Sequence, residues 1–284
     1  MLIDSHCHLD APEFDADRSQ VLHDARAAGV VGVVIPGYVA SRWSALLALT
    51  AAHDRVTPEA PQLWPALGLH PVHLAQHADD DLQQLDAWLT RCPQVVAVGE
   101  IGLDRFLPEL TTPAAWARQQ SLFEQQLQLA TRHGKPVIIH ARRCHAEIVR
   151  SLKRTGFARG GILHAFSGSI EEAQAYVRLG FRLGFGGPLT YPQARRLREA
   201  VQALPLHSLV LETDAPDLVP APWRDRHGDG RPRQPGERVR NSPAYLPAVF
   251  ETLCQLRPEP VPELRQALRD NVCSALGLRS VGGG

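Results

Sequence analysis

Gly134-Lys135-Pro136-Val137-Ile138-Ile139-His140 is the stretch on which the fold turns. Gly134 stands just past an amphipathic run, where a helix ends in a left-handed backbone and a missing Cβ removes the strain. Pro136 reinforces the stop. A short β-branched apolar run follows, and a histidine closes it. Gly29, Gly156 and Gly180 hold the same place before other apolar runs. Eight such runs are predicted as strands: 1–4, 30–36, 63–69, 95–101, 136–140, 160–165, 181–186 and 208–213. Most are continuously apolar, the pattern of strands buried on both faces. Amphipathic segments at 18–28, 42–53, 82–91, 113–133, 144–155 and 170–179 lie between them, and helices at 243–256 and 262–276 follow. Eight alternations of strand and helix predict an α/β fold, the (β/α)8 TIM barrel, with its site at the C-terminal rim of the strands. A doubly wound open sheet is the alternative. It usually has fewer strands, and no GxGxxG follows any of these runs.

The 284 residues suffice for one large barrel, and residues 1–280 are expected to form a single domain. Thirty basic and thirty acidic residues cancel, so any recognition of phosphate must be local and not the work of a global basic field. The five cysteines include no CxxC pair. No apolar run is long enough for a bilayer, and Asp4 comes too early for a secretory signal. The expectation is a cytoplasmic, monomeric protein with free thiols and no membrane association. Cys7 is expected to be a buried small hydrophobe.

Catalytic groups of a TIM barrel collect where the strands end. The first strand is followed by His6-Cys7-His8, and side chains at i and i+2 of an extended chain point the same way. Glu100 and Asp104 end the fourth strand, His140 the fifth, His164 the sixth and Asp214 the eighth, while His70 follows the third. Any one of these residues has a structural explanation. Four histidines, one glutamate and one aspartate on one rim (His6, His8, His140, His164, Glu100 and Asp214) would be costly to bury unpaired, and divalent cations would satisfy them. Imidazole with carboxylate suits zinc, manganese or iron, and magnesium less well. Six donors are too many for one tetrahedral ion and right for two, held roughly 3.5–4 Å apart by a bridging carboxylate. Many amidohydrolase barrels, which also begin with HxH, bridge their ions with a carboxylated lysine. The only lysines here are Lys135, at the opposite end of its strand, and Lys153, on a helix. Glu100 is the substitute.

In chain order the motifs are Ile3-Asp4-Ser5-His6-Cys7-His8-Leu9-Asp10, Leu67-Gly68-Leu69-His70-Pro71 and Gly99-Glu100-Ile101-Gly102-Leu103-Asp104. Then come Lys135-Pro136-Val137-Ile138-Ile139-His140-Ala141-Arg142, His164-Ala165-Phe166-Ser167-Gly168, Leu211-Glu212-Thr213-Asp214-Ala215-Pro216, Asn241-Ser242-Pro243 and Asp270-Asn271-Val272. The set resembles the TatD family of metal-dependent deoxyribonucleases nearly end to end. The resemblance implies that His6, His8 and Asp214 hold one ion and His140 and His164 the second, with Glu100 bridging. It implies two divalent ions (Mg2+, Mn2+ or Zn2+), catalytic roles for Asp214 and Glu100, and hydrolysis of phosphodiesters in DNA from the 3′ end. RNA or tRNA is the other substrate it implies, since some relatives are linked to removing D-amino acids from tRNA. Three positions depart from the family. Arg105 stands where a tyrosine is usual, the stretch from Arg105 to Glu109 lacks the usual aromatics, and Ala141 replaces a serine. They bear on substrate contacts and leave the donor set intact.

Three further residues are substrate-contact candidates. Arg142 is placed to reach a phosphate oxygen or to form a structural ion pair. His70 would donate to substrate or pack under Pro71. Asp104 would orient a ligand or fix a loop. The segment 215–247, rich in Pro, Gly and Arg, follows the eighth strand and is expected over the barrel mouth as a functional or a flexible loop. Arg224, Arg226, Arg231, Arg233, Arg238 and Arg240 outnumber Asp217, Asp225, Asp229 and Glu237 there. They are read either as backbone contacts, with Trp223 stacking on a base, or as solvated side chains. The closing glycines, 282–284, are expected to be disordered. Beside the nuclease stand two other readings: the same centre acting on another ester or amide, and a non-catalytic metal-bound scaffold. The intact donor set argues against the last.

Overall fold

A computed structural model describes residues 1–53, 60–227 and 230–279. Asp229 and the closing glycines lie outside the described residues. The eight strands are β1 (Leu2–Asp4), β2 (Val30–Pro36), β3 (Gln62–Leu67), β4 (Ala97–Asp104), β5 (Val137–Arg142), β6 (Gly161–Leu163), β7 (Phe181–Phe185) and β8 (Leu209–Leu211). They pair in sequence order, each parallel to the next. This is the predicted TIM barrel. The helices are α1 (Arg18–Ala27), α2 (Trp43–His53), α3 (Asp81–Arg91), α4 (Pro113–Arg132), α5 (His145–Arg154), α6 (Ile170–Arg178), α7 (Arg195–Ala203), α8 (Leu246–Leu256) and α9 (Val261–Leu276). Among the described residues, no helix is long and apolar enough to cross a membrane.

Burial explains the elements. All seven residues of β2 and all eight of β4 are buried, as continuous apolar runs require. Outside the strands, Leu22, Leu46, Leu85, Phe123, Ile148, Tyr176, Val201 and Val249 carry one contribution from each of the first eight helices into a common core. Each such side chain contributes about 1.5–3 kcal/mol by leaving water. A second cluster takes Ile3, Val34, Ala66, Ala97, Ile138, Ile162 and Val210 from seven strands, with Val272, Cys273 and Leu276 of α9. It fills the barrel interior, and α9 caps it. The Ser169–Glu172 capping box starts α6, and Gly277 in a left-handed conformation ends α9.

Three details differ from the sequence pattern. β4 starts later and runs to Asp104, so Glu100 sits inside the strand and not at its end. β1 stops at Asp4, so His6 and His8 belong to the loop beyond it. The helix α7 was not among those predicted. Only its Ala200 and Val201 are buried, too narrow an apolar stripe to stand out in a segment rich in arginine.

The barrel closes between β1 and β8 through a buried polar seam. Ser5 N donates to Leu211 O at 3.0 Å, and Asp214 N donates to His6 O at 2.8 Å. Between these bonds the fully buried Asp4 carboxylate accepts from Thr213 N (2.9 Å), Thr213 Oγ1 (2.6 Å) and His6 N (3.2 Å). Burial pushes the Asp4 carboxyl up to about 8, against the pull of those donors. Asp4→Ala would leave these donors buried without an acceptor. The expected loss is about 3 kcal/mol or more, read from the denaturant midpoint of unfolding. An unchanged midpoint would remove the seam from the account of closure.

Candidate metal centre

Glu100 is the hub of the rim. It is 1% exposed, and its two oxygens face different partners. Oε2 lies 3.2 Å from His6 Nε2 and 3.5 Å from His8 Nε2. Oε1 lies 3.0 Å from His70 Nε2, 3.2 Å from His140 Nδ1 and 3.3 Å from His164 Nε2. Asp214 Oδ1 closes the first set at 3.6 Å from both His6 Nε2 and His8 Nε2. His6 and His164 stack with ring centroids 3.8 Å apart, bringing the two sets together. All six donors predicted from the sequence therefore meet, and His70 joins them.

For three of the rings, His140, His164 and His70, a hydrogen bond on the far side decides which nitrogen faces the centre with a lone pair. His140 Nε2 donates to Asp104 Oδ2 at 3.0 Å, which leaves Nδ1 as its inward donor atom. His164 Nδ1 donates to Glu212 Oε1 at 3.2 Å, which leaves Nε2. His70 is reversed. Its Nδ1 accepts from Val72 N at 3.0 Å, so in the neutral ring the proton is on Nε2 and points at Glu100. Distance alone would count His70 with Glu100 and His140 as a ligand group. The hydrogen bonds make it a proton donor instead. Asp104 orients a ring and fixes a loop, as its sequence reading allowed, and only its place among the substrate contacts is corrected: it is fully buried, and its other oxygen accepts from Phe106 N (2.7 Å) and Leu107 N (3.3 Å). It fixes His140 and the β4 loop and has no surface left for substrate. Arg142 is exposed, with its guanidinium 3.5 Å from the centroid of the Phe106 ring.

Charge explains why this cluster suits cations. Burial pushes Asp214 up to about 6, with Glu100 and Glu212 adding repulsion. Burial alone would lower His164. The carboxylates Glu100, Asp214 and Glu212 outweigh it and raise the ring to about 10, so a proton there offsets their charge. Burial would likewise raise Glu100, yet His70, His164 and His6 hold it well below its usual range. His6 falls well below its ordinary value, chiefly through burial and then the charge of His164. A divalent cation would take over the proton's compensating role. Two groups, His6–His8–Asp214 and His6–Glu100–His164, offer ligand atoms all within 4.8 Å of one another. Imidazole nitrogens with carboxylate oxygens form a fitting donor set for such an ion.

Several supporting residues are not among the sequence-based site candidates. Glu212, between Leu211 and Thr213, holds His164 and accepts from Ala165 N at 2.6 Å. Gly184 makes room for it, since a Cβ there would lie 2.1 Å from Glu212 Oε2. Two buried glutamines on α4 brace neighbouring strand ends. Gln126 exchanges hydrogen bonds with the backbone of Leu69, and Gln119 accepts from Asp104 N at 2.9 Å. Their signal is two amides seven residues apart on one apolar helix face. Asn241 donates to Thr213 O and Asp217 O, which pins the β8 loop beside the centre. The rest of that loop departs from the nucleic-acid reading. Trp223 is stacked on Tyr245 at 4.2 Å, and Arg231, Arg238 and Arg240 pair with Glu237, Asp217 and Asp17. Lys135 bonds to Val95 O, away from the centre. All five cysteines are free, and Cys7 is fully buried.

The family model of TatD-related DNases matches residues 3–277. The chain belongs to that family. An uncharacterised metal-dependent hydrolase of Escherichia coli K12, YjjV, is 42% identical over 270 residues, which cover 95% of each chain. The crystal structure of YjjV superposes with a TM-score of 0.85 over 98% of both chains. A 3′-5′ ssDNA/RNA exonuclease TatD of Edwardsiella piscicida is 34% identical, covering 95% of this chain and 97% of that one. The protein is thus a TatD-family metal-dependent hydrolase. If Asp104 and Glu212 set the ring tautomers, Asp104→Asn and Glu212→Gln will each weaken Zn2+ or Mn2+ binding about 10- to 100-fold by calorimetric titration. Circular dichroism should stay that of the parent. Parental affinity in both variants would refute the assignment.

Proposed function

We propose that the protein is a nuclease that binds two divalent ions, Mg2+, Mn2+ or Zn2+, and cleaves phosphodiester bonds in DNA from the 3′ end. The observation that carries this reading is the division of labour at Glu100, whose two oxygens serve two separate imidazole sets. His6, His8 and Asp214 would hold one ion, His140 and His164 the other, with Glu100 between them. The ions, when bound, would supply an activated water and polarise a phosphoryl oxygen.

The remaining work falls to the chain. Asp214, which lines the cavity, is placed to accept the proton of the attacking water. His70 presents Nε2–H beside Glu100, where it would donate to a phosphoryl oxygen or to the departing sugar oxygen. Asp104 and Glu212 hold two rings in the tautomers this requires. The relatives named as exonucleases support DNA or RNA as substrate.

One observation favours a second reading. The cavity beside His140, His164 and Asp214 measures about 490 Å³ and has an apolar wall of Phe166, Leu189, Leu197 and Leu218. An acyl group would fit that wall, so the same centre would hydrolyse a D-aminoacyl-tRNA or a small ester. Incubation of the metal-loaded protein with 5′-labelled single-stranded DNA and, in parallel, with aminoacyl-tRNA separates the two. Shortening of the DNA from its 3′ end is expected, abolished by chelation. Glu100→Ala and Asp214→Asn should each lower the rate about 100-fold or more while the fold persists. Undiminished nuclease activity in both would sink the proposal.

A further inference from the structure

Beyond the donor cluster, the rim carries one cationic feature whose charge is unmatched. Arg142 and Arg143 both lie over the ring of Phe106, with guanidinium carbons 3.5 and 4.7 Å from its centroid. Phe106 is one of few large apolar side chains left at the surface, 40% exposed. Among the described residues, neither guanidinium has a hydrogen-bond or ion-pair partner. Other arginines near this rim are neutralised. Arg105 turns away to Glu147 at 3.0 Å, Arg42 meets Asp10, and Arg238 and Arg240 meet Asp217 and Asp17.

The placement is not loose. Asp104 holds Phe106 N with one oxygen and His140 with the other, so a single carboxylate ties the aromatic platform to the centre. Asp104 and Arg142 are also register partners across β4 and β5. Arg142 stands two residues beyond His140 on β5, about 6.6 Å further along the strand and on the same side. An extended single strand of nucleic acid repeats its phosphates at a similar step. Arg142 lines the same cavity as His140, His164 and Asp214. Fixing two long side chains against an aromatic ring lowers the entropy lost when they take up an anion.

We propose that Arg142 and Arg143, carried on Phe106, grip the phosphate next to the scissile one, one nucleotide further from the 3′ end of a single strand. The proposal rests on the nuclease reading and names the substrate group that reading leaves open.

The test uses two single-stranded DNAs, one natural and one with a neutral methylphosphonate at that single position. The parent enzyme should lose about tenfold in kcat/KM on the neutral linkage, mostly through KM. Arg142→Gln combined with Arg143→Gln should cleave both DNAs at the same reduced efficiency. Lysine at both positions should recover part of the preference, and Arg105→Gln should keep all of it. Phe106→Ala should raise KM about threefold on natural DNA. Equal efficiency of the parent on both DNAs would overturn the clamp while leaving the nuclease intact. A double variant slowed by the same factor on both DNAs, and so keeping the parent's preference for the charged linkage, would overturn it too by assigning a merely structural role. If the parent cleaves neither DNA, the nuclease reading itself fails and the clamp falls with it.

Discussion

The seam between β1 and β8 is the constraint on which the rest depends. A parallel barrel must join its first strand to its last, and here the joint is built around a buried carboxylate. Asp4 gathers both hydrogen-bond donors of Thr213 and the amide of His6, and two backbone bonds flank it. The same joint delivers His6 and His8 against Asp214, residues more than two hundred positions apart. Fold closure and site assembly are one event. Burying the Asp4 carboxyl is unfavourable in isolation, and the convergence of donors offsets part of that cost.

Around the seam the site is organised by alternation of carboxylate and imidazole. Glu100 faces five rings, while Asp104 and Glu212 stand behind two of them. Each carboxylate would be costly here alone, and burial works against a proton on His6, His70, His140 and His164. Together they hold one another in defined charge states and tautomers. His70 shows how fine the distinction is. It lies as near to Glu100 as any other ring, but one backbone amide at its far nitrogen turns it from an electron-pair donor into a proton donor.

Much of this was legible in the sequence. Glycine stops, apolar runs and the histidines that follow them mark strands and rim together, because in a barrel every strand ends on the same side. His140 and His164 follow directly from that logic. What escaped was set by tertiary geometry. Glu212 reads like any polar residue after a strand, and only folding shows that its carboxylate passes Gly184 to reach His164. Asp104 was recognised as interesting, yet its burial behind His140 depends on β4 running three residues further than the apolar run predicts. The arginines of the β8 loop looked available in one dimension. Arg231, Arg238 and Arg240 find acids in three, one of them on α1.

The order of residues in the seam has a consequence for how the protein comes into being. A chain emerging from the ribosome displays His6 and His8 more than two hundred residues before Asp214. The helix α9, which caps the barrel interior, follows later still. A truncated or half-made chain would therefore carry part of the donor set without the strand that completes it. The donor set is complete only where the β8 loop meets the β1 loop, so a fragment lacking either side holds an unfinished set.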